Sequence, residues 1–151
     1  FNPVVNLCGH SLDQYTIHAG EEVPNIAHGS YEFEEGDVFA IEPFATTGEG
    51  IVRDSSECQI FRLGEGKTRL LQSRQLQKHV EKYRGLPFCK RWLSKDLPQM
   101  HLDLAINDLL RCGGFEDYFP LAEKAGKLVS QSETTVIVTN AGGLATVQLP
   151  Q

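Results

Sequence analysis

No apolar run in this 151-residue chain approaches the roughly 20 residues that cross a bilayer, and no charged n-region leads into an apolar h-region. A membrane partner is therefore not expected, and a cytoplasmic setting is the simplest one. Clustered cysteines are missing too. Cys8, Cys58, Cys89 and Cys112 lie far apart and form no C-x-x-C pair, so neither a thiolate zinc site nor a disulfide framework is expected. Basic charge is in short supply: 14 Lys and Arg face 20 Asp and Glu, for a formal charge of −6, and no basic run is longer than Lys90-Arg91. That balance weighs against a dedicated nucleic-acid surface, while leaving room for a small local patch, so no specific nucleic acid is expected as a partner. Internal repeats and low-complexity tracts are absent. So is an initiating methionine: the chain starts at Phe1 and reads as part of a longer protein.

Hydrophobic residues make up 40% of the chain and charged residues 23%, enough for a globular domain with a sizeable core. Short β-branched and aromatic segments at 4–7, 15–18, 37–44 and 50–61 read as strands, separated by turn signals such as Ala19-Gly20, His28-Gly29-Ser30 and Glu35-Gly36-Asp37. Pro43, directly after Glu42, implies that strand pairing stops or becomes edge-like there. The character then changes. Residues 68–83 carry Leu76, Val80 and Tyr83 at helical spacing, and 99–111 carries Leu102, Ala105, Ile106, Leu109 and Leu110 on one stripe between Pro98 and Gly113-Gly114. Strands return with 127–133, the β-branched run 134–139 and a last segment at 144–149 across Asn140-Ala141-Gly142-Gly143, consistent with a hairpin. The order implies an α+β chain with helices inserted between two strand-rich parts, divided as 1–62, 63–125 and 126–151.

The residues that draw chemical attention are His10 in Asn6-Leu7-Cys8-Gly9-His10-Ser11, His18 in Ile17-His18-Ala19-Gly20, and Glu42 at the end of the apolar run Asp37-Val38-Phe39-Ala40-Ile41. A carboxylate in an apolar run is costly unless paired. Glu42 is therefore read either as a ligand or as a salt-bridged strand-end residue. His10 on its own reads as a surface or hydrogen-bonded loop histidine sooner than as a ligand, and Glu133 beside Thr134-Thr135 reads as a solvated strand residue. Taken together, one imidazole and two carboxylates suit Mn²⁺, Fe²⁺, Co²⁺ or Zn²⁺ better than a softer metal. Cys8 is read as a small buried hydrophobe.

Several of these segments, in this order, carry a resemblance. The Asn-Leu-x-Gly-His-Ser and Ile-His-Ala-Gly segments, the run Glu35-Gly36-Asp37-Val38-Phe39-Ala40-Ile41-Glu42-Pro43-Phe44, then Gly85-Leu86-Pro87-Phe88, Arg91-Trp92-Leu93, Asp117-Tyr118-Phe119-Pro120-Leu121 and Gln131-Ser132-Glu133-Thr134-Thr135 resemble the type II methionine aminopeptidases, the archaeal form most closely. The resemblance covers nearly the whole chain and implies the C-terminal half of a pita-bread fold carrying a helical, winged-helix-like insert. It implies removal of the initiator methionine from nascent chains by a two-metal site holding Co, Mn, Fe or Zn. His10, Glu42 and Glu133 match the family's metal ligands, and Glu42 also matches its proton-transfer group. His18 matches a histidine on the carbonyl side of the substrate, Ile17 and Tyr118 match positions near the methionine side-chain pocket, and Pro87 lies in a segment bordering it.

There are departures. The family's closing motif usually reads Gln-Phe-Glu-His-Thr, where this chain has Ser132 and Thr134. Two aspartates eleven positions apart, and a further histidine upstream of them, complete the family's site. No aspartate pair here has that spacing. The implied partners are a nascent peptide N-terminus, the missing N-terminal half of the enzyme, and a ribosome contact. The 151 residues alone are expected to be inactive. Two other readings stand beside this one: a non-catalytic pita-bread binding module, and a related peptidase such as an X-prolyl dipeptidase, against which the Arg91-Trp92-Leu93 segment argues.

Overall fold

The structure, a computed structural model, describes residues 1–95 and 98–147. They form two compact units: a discontinuous one made of Phe1–Asp54 with the residues from Leu121 on, and a continuous one, Ser55–Pro120. The first unit contains β1 (Asn2–Pro3), β2 (Cys8–Ser11), β3 (Glu22–Pro24), β4 (Val38–Ile41), β5 (Phe44–Thr46) and β6 (Arg53–Asp54). The second contains β7 (Ile60–Leu63), α1 (Leu71–Val80), a 3-10 turn at Glu81–Tyr83, β8 (Phe88–Cys89), α2 (Lys90–Leu93), α3 (Gln99–Arg111) and β9 (Phe115–Tyr118). The chain then returns to the first unit with β10 (Leu121–Ala122), β11 (Val129–Gln131), β12 (Thr134–Thr139) and β13 (Gly142–Ala145). All strand pairs among the described residues are antiparallel, so the fold is mixed α and β with antiparallel sheets.

In the first unit the principal sheet has the order β13-β12-β4-β2-β3, and a second sheet has the order β1-β5-β11. The six-residue β12 is Thr-Thr-Val-Ile-Val-Thr, a run whose branched side chains suit a pleated surface. It pairs with β4 from Thr134↔Ile41 to Ile137↔Val38, and β11 pairs with β5 from Gln131↔Phe44 to Val129↔Thr46. Both ladders share one register. They are the two ends of one long hairpin-like pairing, interrupted only where Glu42-Pro43 faces Ser132-Glu133. Proline brings no N–H to a ladder, and the break falls at it: across it the Ser132 N–H still donates to the Pro43 carbonyl at 3.3 Å.

Segment 15–18, expected as a strand, is a turn. The Asp13 carboxylate accepts the Gln14 N–H at 2.6 Å, Asp13 and Thr16 exchange backbone hydrogen bonds at 3.0 Å, and Tyr15 takes φ +59°. A short Asx side chain bonding to nearby backbone outcompetes strand pairing here. The first strand of the principal sheet is accordingly Cys8–Ser11 rather than 4–7. Of the expected final strand, residues 148–149 lie outside the described residues.

The second unit is built on its own core. Leu76 and Val80 of α1 pack with Leu102, Ala105, Ile106 and Leu109 of α3, with Phe61, Phe88 and Phe115 from the β8-β7-β9 sheet and with Leu93. The aromatic part is edge-on and stacked: the Phe88 ring lies 5.2 Å from that of Phe115 and 5.4 Å from that of Tyr83. α1 starts later than expected because the Thr68 hydroxyl accepts the Leu70 N–H at 3.0 Å while donating to Asp108 at 2.6 Å. It passes at Val80 into the 3-10 turn, which stops at Arg84, in the left-handed region at φ +56°, followed by Gly85. No helix among the described residues is long and apolar enough to cross a membrane.

Candidate functional site

The segment that presents His10 is pinned before the strand begins. The Asn6 amide donates to the Val52 carbonyl at 2.8 Å and accepts the Val52 N–H at 3.0 Å, and the Asn25 amide bonds the Val4 and Leu7 carbonyls. Gly9 lies against β4 so closely that a Cβ there would collide with the Ala40 carbonyl oxygen. That closeness sets the register His10↔Ala40, which puts Glu42 diagonally across from His10 on the same face of the sheet. Cys8 comes opposite Glu42 by the same register. On the other side of β4, the register Thr134↔Ile41 places Glu133 opposite Glu42.

Three of the residues expected at the site are thereby gathered at the interrupted pairing. His10 Nε2 lies 3.2 Å from Glu42 Oε1, with both side chains largely withdrawn from solvent. The Gln131 amide nitrogen donates to Glu42 Oε2 at 3.1 Å and Glu133 Oε2 at 3.3 Å, standing between the two carboxylates. Burial raises the Glu42 carboxyl above the ordinary range, the Glu133 charge raises it further, and His10 and the Gln131 hydrogen bond oppose both. The Cys8 thiol is raised by burial and then by Glu22 and Glu42, so it stays in its neutral form. His18 is exposed, its ring edge-on to that of His10 with centroids 4.3 Å apart. Ile17 is half-buried beside it in sequence.

Tyr118 belongs to the other unit, on β9 opposite Ile60, and Pro87 is half-buried just before β8. That unit also holds an open pocket of about 440 Å³ walled by Glu57, Lys90, Asp103 and Phe119, among others. None of the expected site residues lines it. Its Lys90 ammonium is engaged by Asp103 at 2.8 Å and Glu57 at 3.5 Å.

Gln131 stands in the sequence only as one residue of the Gln131-Ser132-Glu133-Thr134-Thr135 segment. Its role between two carboxylates had no signal in the sequence, since it depends on strands 89 positions apart in the chain meeting in register. The donor set is right in kind for a divalent ion: an imidazole and two carboxylates, the latter close enough to repel. It is not a finished cage. Among the described residues, no group of three or more His, Cys, Asp or Glu side chains is set to hold a metal ion.

No family model matches the sequence. Individual relatives do. The chain is 46% identical over 150 residues to a methionine aminopeptidase of Thermococcus kodakarensis, covering 97% of this chain and 51% of that protein. It is 43% identical over 144 residues to one of Methanothermobacter thermautotrophicus, and 39% identical over 139 residues to methionine aminopeptidase 2 of Schizosaccharomyces pombe, covering 48% and 32% of those proteins. The chain thus spans about half the length of the archaeal relatives it matches. Among solved structures, a thermophilic Arx1 superimposes with a TM-score of 0.81 at 22% identity, over 99% of this chain and 42% of that one. At that identity the likeness is one of fold.

Proposed function

We propose that this chain, a relative of the methionine aminopeptidases over nearly all its length, forms the C-terminal half of a pita-bread aminopeptidase that removes methionine from peptide N-termini. The observation that carries the reading is the convergence of His10, Glu42 and Glu133 at the break in one long strand pairing. These three would hold part of a site for two divalent ions, of a kind drawn from Co, Mn, Fe and Zn. When bound, such ions supply Lewis acidity that polarises the scissile carbonyl and acidifies water.

The chain's own residues supply the rest. Glu42, whose carboxyl burial raises above its ordinary value, accepts and returns the proton at a carboxylate oxygen. His18, beside His10, stabilises the carbonyl oxygen. Ile17, next to His18, lies against the methionine side chain, whose flexible thioether fills apolar space well. Residues 63–125 are the winged-helix-like insert of the type II enzymes, most of it within the continuous unit 55–120.

Three ligands do not make a two-metal site, so the 151 residues alone are taken to lack appreciable activity. Met-Gly-x peptides with added Co²⁺ or Mn²⁺ test this: robust methionine release by the chain alone would overturn that part of the proposal. Mixing in the N-terminal half of a matching archaeal relative should restore turnover, and Glu42→Gln should abolish the gain. An assembled enzyme that stays inert with metal present would instead favour a binding module of the same fold. Calorimetric titration with Mn²⁺ gives a readout free of turnover. Weak binding of one ion, lost in His10→Ala, is the expected result.

A further inference from the structure

We propose that Glu22, on the edge strand β3, selects substrates by charge, favouring peptides with lysine or arginine at the third or fourth residue. This preference rests on the aminopeptidase reading of the same site. Register is what brings Glu22 to it. His10 of β2 stands directly opposite Glu22 and, on its other side, opposite Ala40 of β4, two residues before Glu42. Residues directly opposite share a face of the sheet, so Glu22, His10 and Glu42 occupy one face. Glu21 stands opposite Ser11, whose N–H donates to its carbonyl at 2.8 Å, and so belongs to the other face. Of two neighbouring carboxylates, only one shares the face of the candidate ligands.

Glu22 and Glu42 flank Cys8. After burial, the charge of Glu22 and then that of Glu42 push its thiol up, so both carboxylates act on the same stretch of β2. β3 ends the principal sheet on this side, and Glu22 is exposed. Among the described residues it forms no ion pair. Nor does the neighbouring sequence offer a cation: residues 1–52 hold nine Asp and Glu and not one Lys or Arg. An unpaired carboxylate at the rim of so acidic a surface attracts a cationic side chain and repels an anionic one.

The direction of the substrate decides where that charge acts. His18 stabilises the scissile carbonyl in the proposed mechanism, and the peptide beyond the methionine continues from that carbonyl. The His18 segment lies on the β3 side of β2. Its next residue, Ala19, donates its N–H to the Ser11 carbonyl at 3.0 Å, along the same edge of β2 that bonds Glu21. Neighbouring strands are about 4.8 Å apart, and an extended peptide advances about 3.3 Å per residue. One strand's width beyond His10 therefore brings the third and fourth residues within reach of Glu22, while methionine stays behind at the ligands.

The test is the mixed-halves assay with Mn²⁺, comparing Met-Gly-Lys-Lys-Ala with Met-Gly-Glu-Glu-Ala. At 50 mM KCl, kcat/KM for the basic peptide should exceed that for the acidic one about fivefold, the scale of attraction and repulsion at an exposed charge. At 500 mM KCl screening should bring the ratio close to one. Glu22→Gln should reduce the low-salt ratio to less than about twofold, and Glu22→Lys should invert it. Glu21→Gln removes an equal charge one residue away, from the other face, and should keep the parent's ratio. Far-UV circular dichroism and a cooperative melt check that each variant is folded, and the parent's salt dependence is informative without any variant.

Equal rates with the two peptides, a ratio unmoved in Glu22→Gln, or an equal loss in Glu21→Gln would overturn the proposal. If the mixed halves release methionine from neither peptide, the peptidase reading fails, and the 151-residue chain alone then decides the role of Glu22. In two-dimensional amide NMR spectra recorded in EDTA, Gly-Lys-Lys-Ala should shift the Glu22 and Val23 signals and Gly-Glu-Glu-Ala should leave them in place. Glu22→Gln should remove that response at Val23. Basic and acidic peptides acting alike on the chain, or a response that persists in the variant, would equally overturn it.

Discussion

Single side chains at the break in the pairing decide what the first unit presents. Gly9 is the clearest case, because its missing Cβ is what allows β2 to lie against the Ala40 carbonyl. Gly9→Ala forces the strand outward, and overpacking of this kind costs about 1–3 kcal/mol. A matching drop in the urea midpoint, with an unchanged m-value, is the expected result. Gln131 acts differently: it holds Glu42 and Glu133 by two hydrogen bonds from one amide. Gln131→Ala frees both carboxylates, and outer partners of ligands typically change metal affinity 10–100-fold. Mn²⁺ titration of Gln131→Ala is therefore expected to show at least a tenfold weaker site, with little change in melting temperature. Equal affinity in the variant would mean that Gln131 does not orient the carboxylates.

At the level of elements, the loop 47–52 and the turn after β10 are fastened by one carboxylate. Glu123 accepts the N–H groups of Lys124 at 3.0 Å, Gly50 at 3.0 Å and Ile51 at 3.3 Å. The Lys124 bond foremost, then the others, hold its pKa below the ordinary 4.5. A depressed folded-state pKa stabilises the protein above about 4.5, and that contribution disappears as pH falls through the lower folded value. Glu123→Gln should thus lower stability at pH 7 and leave a shallower acid limb, the two proteins converging at the lowest pH. Denaturant midpoints measured from pH 7 to pH 2.5 decide it. In the second unit, α1 and α3 are joined through fully buried Leu76, Leu102 and Leu109. Leu76→Ala is expected to destabilise that unit by about 2–5 kcal/mol, according to how far the site can close over the cavity.

For the whole molecule, the informative point is how the continuous unit is spliced into the discontinuous one. Its ends meet: the Ser55 N–H donates to the Pro120 carbonyl at 2.8 Å, and the next residues out, Asp54 and Leu121, are paired in β6 and β10. Replacing residues 55–120 by a short Gly-Ser linker should therefore keep the β4–β12 and β5–β11 pairings, since the strand ends already stand side by side. Residues 55–120 alone, with their own core, should also unfold cooperatively. Circular dichroism melts of the two proteins test both expectations, and a non-cooperative profile for 55–120 would show that its core depends on the other unit.

The sequence by itself determined the kinds of element: α3, with its five-residue apolar stripe, falls where periodicity puts it, and the β-branched run 134–139 is a strand. It also marked His10 and Glu42, because a histidine after glycine and a carboxylate in an apolar run are anomalies visible locally. Only the tertiary structure decided that Glu133, which on its own reads as a solvated strand residue, faces Glu42 with Gln131 between them. The reason is physical. Side-chain periodicity tells which face a residue takes, but pairing and register come from contacts between distant segments, here set by the Gly9–Ala40 approach and kept in step across Pro43.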